Sequence, residues 1–257
     1  KEIAPRAAEE GAVVIDNSNA FRMDENTPLV GPEINPVDIF DHNGIIANPN
    51  CSTIQMVLAL KPVYEEYGIK RIVVSTYQAV SGTGKDAIDE LDQQVNAYLN
   101  DEQLVSEVYP HQIAFNVLPH IDIFFDNDYT KEEMKMVRET RKILDDPDIP
   151  ITATAARIPV FYGHAEAVNI ETEKDVNLDR LKALLNATSG VKVVDNPEKA
   201  IYPLPTMSEN DDSVMVGRIR KDFSIDRGIN LWVVANNLRK GAALNAVQIA
   251  EKLIERT

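Results

Sequence analysis

Cysteine is almost missing from this chain: Cys51 is the only one in 257 residues. A lone thiol excludes an internal disulfide framework and a cysteine zinc cluster, no metal site is expected, and a reducing, cytoplasmic setting follows. Histidine is scarce too, so any imidazole in the chemistry is His42, His111, His120 or His164. Basic charge is in short supply. The 26 Lys and Arg face 41 Asp and Glu, a formal net charge of −15, and no basic block offsets it. That excludes a nucleic-acid surface, and it leaves room for a small anionic substrate only where a few cations gather in one pocket. No apolar run is long enough to span a bilayer, and the first residues do not follow the plan of a signal peptide, so no membrane partner is expected. There is no internal repeat, no Gly-x-Gly-x-x-Gly and no P-loop lysine pattern. What remains is ordinary: 44% hydrophobic and 26% charged residues in 28.6 kDa, enough for one large domain or two of usual size.

Strands and helices alternate at first and strands dominate later, which predicts α/β or α+β architecture with a mixed sheet. Gly11 to Asp16 and Gly44 to Ala47 read as short strands, and a helix is expected just past Cys51. Arg71 to Thr76 is β-branched and reads as a buried strand. A helix with Ile88, Leu91, Val95 and Tyr98 at helical spacing follows. Thr130 and Glu133 form a capping box ahead of a helix carrying Met134, Val137, Arg141 and Leu144. Ile151 to Val160 and Ala165 to Glu171 read as strands around a turn at Tyr162-Gly163-His164. Asn177 caps a helix ended by Gly190, and short strands follow at 191–194, 214–220 and 229–235. The chain closes on a helix from about Ala242, with Leu244, Val247 and Ile254 as its apolar markers.

Cys51 falls where a strand turns into a helix through Asn48-Pro49-Asn50, so its sulfur would face unpaired backbone N–H groups and the positive end of the helix dipole. A free thiol is about 3% ionised at neutral pH; lowering its pKa to about 6 would make it roughly 90% thiolate. The polar neighbours Asn50 and Ser52 argue against a buried structural cysteine and favour a nucleophile. His164, after Gly163 at a tight turn, is the preferred proton partner and His120 the runner-up. Arg157 stands in an otherwise small, apolar strand. It is either a structural ion pair or, as favoured here, a two-pronged clamp on a substrate carboxylate. Glu132 and Lys135, three apart on one helix, read on their own as an exposed ion pair. Ser81-Gly82-Thr83-Gly84, after a strand and before a helix, has the form of a ligand-approach loop. Gln78 is suited to a reacting carbonyl, and equally to an ordinary turn.

Together these stretches resemble the aspartate-semialdehyde dehydrogenases. The resemblance is carried by 14–23, by Pro28-Leu29-Val30-Gly31-Pro32-Glu33-Ile34-Asn35, by Asn48 to Thr53, by Thr76 to Gly84, by Arg157 to His164, and by Asn237 to Ala243. It implies an α+β catalytic domain with a mixed sheet beside the remnant of a Rossmann-type NADP-binding domain. The segments would be 1–50 (nucleotide-binding), 51–236 (catalytic and dimerisation) and 237–257 (a helix returning to the first). The implied reaction is the reversible, NADP-dependent reductive dephosphorylation of L-4-aspartyl phosphate to L-aspartate 4-semialdehyde. It runs through a Cys51 thiohemiacetal and acyl-thioester, on the route to diaminopimelate, lysine, threonine and methionine. His164 would be the acid/base, Gln78 the acyl-binding glutamine and Arg157 the carboxylate clamp. Glu132 would hold the substrate amino group, Arg22 and Lys135 the phosphate, and Ser81, Gly82 and Asn237 the nicotinamide end of NADP. The family also implies a homodimer or tetramer.

The family's nucleotide domain opens roughly eighty residues ahead of the Val14-Ile15-Asp16 strand. The chain as given is therefore expected to bind NADP poorly and to turn over slowly. Asn236, where the family usually has Asp, is expected to matter little. The alternatives are another acyl-phosphate reductase such as the N-acetylglutamyl-phosphate enzyme, a thiol hydrolase using Cys51 and His164, or a non-catalytic dimerisation module.

Overall fold

A computed structural model describes residues 1–255; the last two residues of the expected 237–257 segment lie outside it. The N-terminal part contains helix α1 (Ile3–Glu9) and strands β1 (Val14–Asp16) and β2 (Ile45–Ala47), which pair in parallel. Helix α2 (Cys51–Tyr67) follows, and Gly68 at φ +66° turns the chain directly into β3 (Ile69–Gln78). Then come α3 (Lys85–Leu99), α4 (Lys131–Ile143), β4 (Ile151–Arg157), β5 (His164–Thr172), α5 (Leu178–Ala187) and β6 (Val191–Val193). The chain ends with β7 (Val214–Asp222), β8 (Gly228–Ala235), a π-helical turn (Arg239–Ala243) and α6 (Leu244–Ile254).

The six long-range strands form one mixed sheet in the order β4-β3-β5-β8-β7-β6. β3 and β4 are parallel, and β5 is antiparallel to both β3 and β8. The turn expected to join β4 directly to β5 does not make a hairpin, because β3 lies between them. The consequence is functional: β3, β4 and β8 all end, and β5 begins, at the same edge of the sheet.

One face of the sheet is the main core. Ile72 and Val74 of β3, Val168 and Ile170 of β5, and Leu231 and Val233 of β8 pack under α2, which contributes Ile54, Val57, Leu58 and Val63. Burying each such side chain contributes about 1.5–3 kcal/mol relative to exposure. α2 is apolar nearly all round because it lies inside the molecule, against the sheet and α4. Since α2 runs antiparallel to β3, its N-terminus returns to the edge where β3 ends.

The capping box expected at Thr130 and Glu133 forms, and Glu133 also accepts from the Ala155 N–H of β4. The buried side of α4 is Met136, Val137, Thr140 and Ile143 rather than the row through Met134 and Arg141. In α6 the expected markers Val247 and Ile254 are exposed. Ile249 is the buried one, packed with Val30, Ile39 and Ile46 beside the β1–β2 pair.

Candidate active site

The sheet's common edge gathers the side chains. Gln78, the last residue of β3, is in register with Arg157, the last of β4. His164 opens β5 opposite Ala235, the last of β8, and Asn236-Asn237 follow directly. Along the sheet face beneath α2 the residues therefore change from aliphatic (Ile72, Val74; Val168, Ile170) to polar (Thr76, Gln78; Glu166, His164). A ledge of buried polar groups sits at the end of an apolar floor.

Cys51 is the first residue of α2. Asn50 caps the helix, its Oδ1 accepting from Ser52 N (3.0 Å) and Thr53 N (3.3 Å). Two acids of α4 steady that cap: Glu132 Oε1 accepts from Asn50 Nδ2 (3.0 Å) and Glu139 Oε2 from Asn50 N (2.7 Å). A β-carbon on Gly241 would lie 2.8 Å from Cys51 Cβ, so the π-helical turn closes against the cysteine only because that residue is glycine.

The thiol departs from expectation. Although Cys51 as a residue is only partly buried, its thiol is pushed up to about 12. Desolvation is the main cause and the Glu132 charge adds to it; Arg157, Arg22 and the Ser52 N–H pull the other way and lose. The helix N-terminus is present as expected, but burial outweighs it. The resting cysteine is a thiol.

His164 is completely buried, and its Nδ1 accepts from Ala79 N (3.1 Å). The ring proton of the neutral form therefore sits on Nε2, which has no partner. Burial, then the Arg157 charge, holds the imidazole well below its ordinary value, so the ring is neutral at physiological pH. Arg157 is also buried. Its Nη1 donates to the Ala79 carbonyl (2.7 Å), its Nε has no partner, and no carboxylate pairs with it among the described residues. The structural ion pair open to it from sequence is absent. A β-carbon built on Gly82 would lie 2.9 Å from Arg157 Nη1 and 3.1 Å from His164 Nε2. The loop, the cation and the imidazole thus converge on one point.

Gln78 donates from Nε2 to Glu132 Oε1 (3.2 Å) and to Thr76 Oγ1. Glu132 is buried and its Oε2 pairs with Lys135 Nζ (3.1 Å), so this pair is not the exposed one its spacing suggests. Burial works to lower Lys135, but Glu132 and Asp122 outweigh it and the net shift is upward. Arg22 is held by Glu139 (3.1 Å) and by the Asn48 and Asn17 carbonyls. Arg22 and Lys135 line one cavity of about 140 Å³ with Lys131 and Arg138. Here are the gathered cations that an acidic chain needs in order to hold an anion.

The expected nicotinamide-end residues also meet. Asn237 bonds Ser81 Oγ (3.0 Å) and accepts from Gly163 N (3.0 Å), tying the Ser81-Gly82 loop to the turn before His164. His120 stacks on Phe124 instead of joining the site. Asn236 donates to the Ser208 carbonyl (3.0 Å), a bond an aspartate could not make.

With that geometry in place, comparison with known proteins identifies the lineage. Residues 60–240 match the family model for the semialdehyde dehydrogenase dimerisation domain, and residues 1–42 the model for the semialdehyde dehydrogenase NAD binding domain. The chain is 57% identical to an aspartate-semialdehyde dehydrogenase of Aquifex aeolicus, over 99% of this chain and 76% of that protein. The chain belongs to the aspartate-semialdehyde dehydrogenase family. A crystal structure of the Vibrio cholerae aspartate-semialdehyde dehydrogenase II complexed with ASA superposes with a TM-score of 0.96 at 52% identity, covering 99% of this chain and 76% of that one. The Candida albicans enzyme with NADP superposes at 0.74 and 25% identity, covering 98% and 74%.

Sequence reasoning missed Asn50 and Glu139, which form and steady the cap of the helix that Cys51 begins, and Lys131 and Arg138 in the cation cavity. The capping role of Asn50 was readable from its place before the helix. Glu139, 89 residues from its partner Asn50, left no local signal.

Proposed function

We propose that this chain carries out the family's reaction: NADP-dependent reductive dephosphorylation of L-4-aspartyl phosphate to L-aspartate 4-semialdehyde, reversibly, through an acyl-thioester on Cys51. The reading rests on one observation. A thiol at a helix start and two buried donors lacking partners, Arg157 Nε and His164 Nε2, face the same edge of the sheet. Buried polar groups are normally satisfied. Orphans at a converging site are explained by a ligand.

In this account Cys51 Sγ attacks the acyl carbon; as the S–C bond forms the C–O bond to phosphate breaks, and the thiol proton leaves with the phosphate as hydrogen phosphate. Arg22 and Lys135 hold the departing phosphate, with Lys131 and Arg138 adding positive field. Arg157 clamps the α-carboxylate through its free donors, Glu132 receives the α-amino group, and Gln78 fixes the acyl oxygen. His164 Nε2–H donates a hydrogen bond to the charge that gathers on that oxygen as the thioester is reduced. The adduct then collapses to the aldehyde with cleavage of the S–C bond, a solvent proton restores the thiol, and the opposite direction retraces these steps. Ser81, Gly82 and Asn237 are the residues to hold the nicotinamide end of NADP, and Gly82 fits the role because any side chain there would fill the space against Arg157 and His164. When bound, NADP supplies or accepts the hydride.

We place the nucleotide-binding part at 1–50, the catalytic and dimerisation part at 51–236 and the returning segment at 237–257. The packing of Ile249 beside β1 and β2 supports that division. The dimerisation-domain match and the open face of the sheet, where Tyr77 packs on Trp232 at 5.5 Å, support a homodimer or tetramer. No helix among the described residues is long and apolar enough to cross a membrane. A thiol that must stay reduced supports a cytoplasmic setting.

The test is NADPH consumption with aspartyl phosphate and, separately, with N-acetylglutamyl phosphate. Turnover of the first alone is expected. Preference for the second would replace this reading with the other acyl-phosphate reductase.

A further inference from the structure

Glu166 has no part in the chemistry above, yet it is completely buried beside it. It lies two residues past His164 on β5 and therefore on the same face of the sheet, opposite Thr76 of β3 and Val233 of β8. Neither of its carboxyl oxygens has a hydrogen-bond partner, and no cation pairs with it among the described residues. The side chain next to it is Gln55 of α2, one helical turn beyond Cys51. Gln55 is also completely buried; its Nε2 donates to the His164 carbonyl at 3.5 Å, and its Oε1 has no donor.

Gln55 Oε1 and both Glu166 oxygens are buried acceptors on neighbouring side chains without a donor, which is unfavourable, and an ionised carboxylate without a counter-ion at this depth is more so. One proton resolves both defects. We propose that Glu166 is a neutral carboxylic acid whose O–H donates to Gln55 Oε1, locking the Gln55 amide so that its N–H₂ group holds the His164 carbonyl. Glu166 is then a positioning residue: through Gln55 it ties the strand end that carries His164 to the helix that carries Cys51.

The charges around it point the same way. Burial raises the Glu166 carboxyl well above the ordinary range, and Glu132 of α4 adds to the rise, against a smaller opposing effect of Gln55. Neutrality also matters electrically, since an ionised Glu166 would favour the imidazolium, whereas Arg157 and burial now keep His164 neutral. The inference rests on His164 acting at the reacting oxygen, but the protonation of Glu166 can be measured without it.

Infrared spectroscopy of the full chain at neutral pH should show a protonated-carboxyl C=O stretch that disappears in Glu166→Gln. In steady state, Glu166→Leu should lower kcat by about tenfold to a hundredfold with the KM for aspartyl phosphate nearly unchanged, because only the alignment of Cys51 and His164 is disturbed. Glu166→Gln, which keeps the shape and offers N–H in place of O–H, should restore kcat to within about twofold and leave the pH profile in place. Absence of the infrared band overturns the proposal. So does a Gln variant as impaired as Leu, or a Leu variant with full kcat. If Glu166→Leu does not fold, the band and the Gln variant decide. Loss of the infrared band would leave the Cys51 reaction standing, so the two readings fail separately.

Discussion

Arg157 and Lys240 are both buried cations, and they are served in opposite ways. Lys240, in the π-helical turn, gives its ammonium to both oxygens of Glu33 (2.7 Å each), to Asn245 (3.0 Å) and to Gln248 (2.8 Å). Asn245 in turn donates to Asn48 Oδ1 (2.6 Å) and to the Val30 carbonyl, joining the C-terminal segment to the turn that precedes Cys51. Arg157 has one backbone carbonyl and an idle Nε. A buried charge with every donor used is part of the scaffold. A buried charge left short of partners carries a desolvation cost that a bound anion would offset, which is the role proposed for Arg157.

The first way to sharpen this contrast uses the thiol, since Arg157 is the leading influence pulling Cys51 downward. With the thiol held near 12, ionisation stays incomplete throughout the neutral range. Alkylation of Cys51 by iodoacetamide should then rise about tenfold per pH unit, roughly a thousandfold from pH 6 to 9, without a plateau. A plateau with a midpoint near 6 would restore the ionised cysteine expected from the helix N-terminus. Removing the cation in Arg157→Leu should slow alkylation further at every pH.

The next effect separates the two cations by function. Arg157→Leu should reduce kcat/KM by about a hundredfold or more, as loss of a buried charged contact costs about 3 kcal/mol. Thermal stability should hold or rise, because an unpaired buried charge has been removed. If Arg157→Leu unfolds the chain, the guanidinium is scaffold after all.

Lys240→Met should do the reverse. It strands Glu33 and should lower stability by about 3 kcal/mol, a fall on the order of 6–12 °C in Tm for a chain of this size. Calorimetry would check it, and an unchanged Tm would contradict the scaffold assignment.

Much of this was legible in the sequence where a signal is local. The capping box at Thr130, the helix start after Asn50 and the β-branched strand through Val73 and Val74 all rest on neighbours along the chain. Cys51, His164 and Arg157 stood out from their local settings and Gln78 through family resemblance, and the structure brings them to one edge of the sheet. What stayed hidden depends on distant partners. The pairing of Glu139 with Asn50 and of Lys240 with Glu33, and the isolation of Glu166, arise only once α4, the C-terminal turn and β5 close on α2. The thiol shows the same limit from the other side: the helix dipole can be read from sequence, while the depth of burial and the nearness of Glu132 cannot. In α6, exposure of Val247 and Ile254 shows that apolar spacing marks a face without saying what covers it.

The central claim is that Cys51 becomes the acyl carrier, and mass spectrometry after mixing with aspartyl phosphate, with no NADP present, tests it most directly. The account predicts an aspartyl adduct on Cys51, released phosphate in equal amount, and no adduct in Cys51→Ser. An unmodified Cys51, or an adduct that persists in the serine variant, would contradict it.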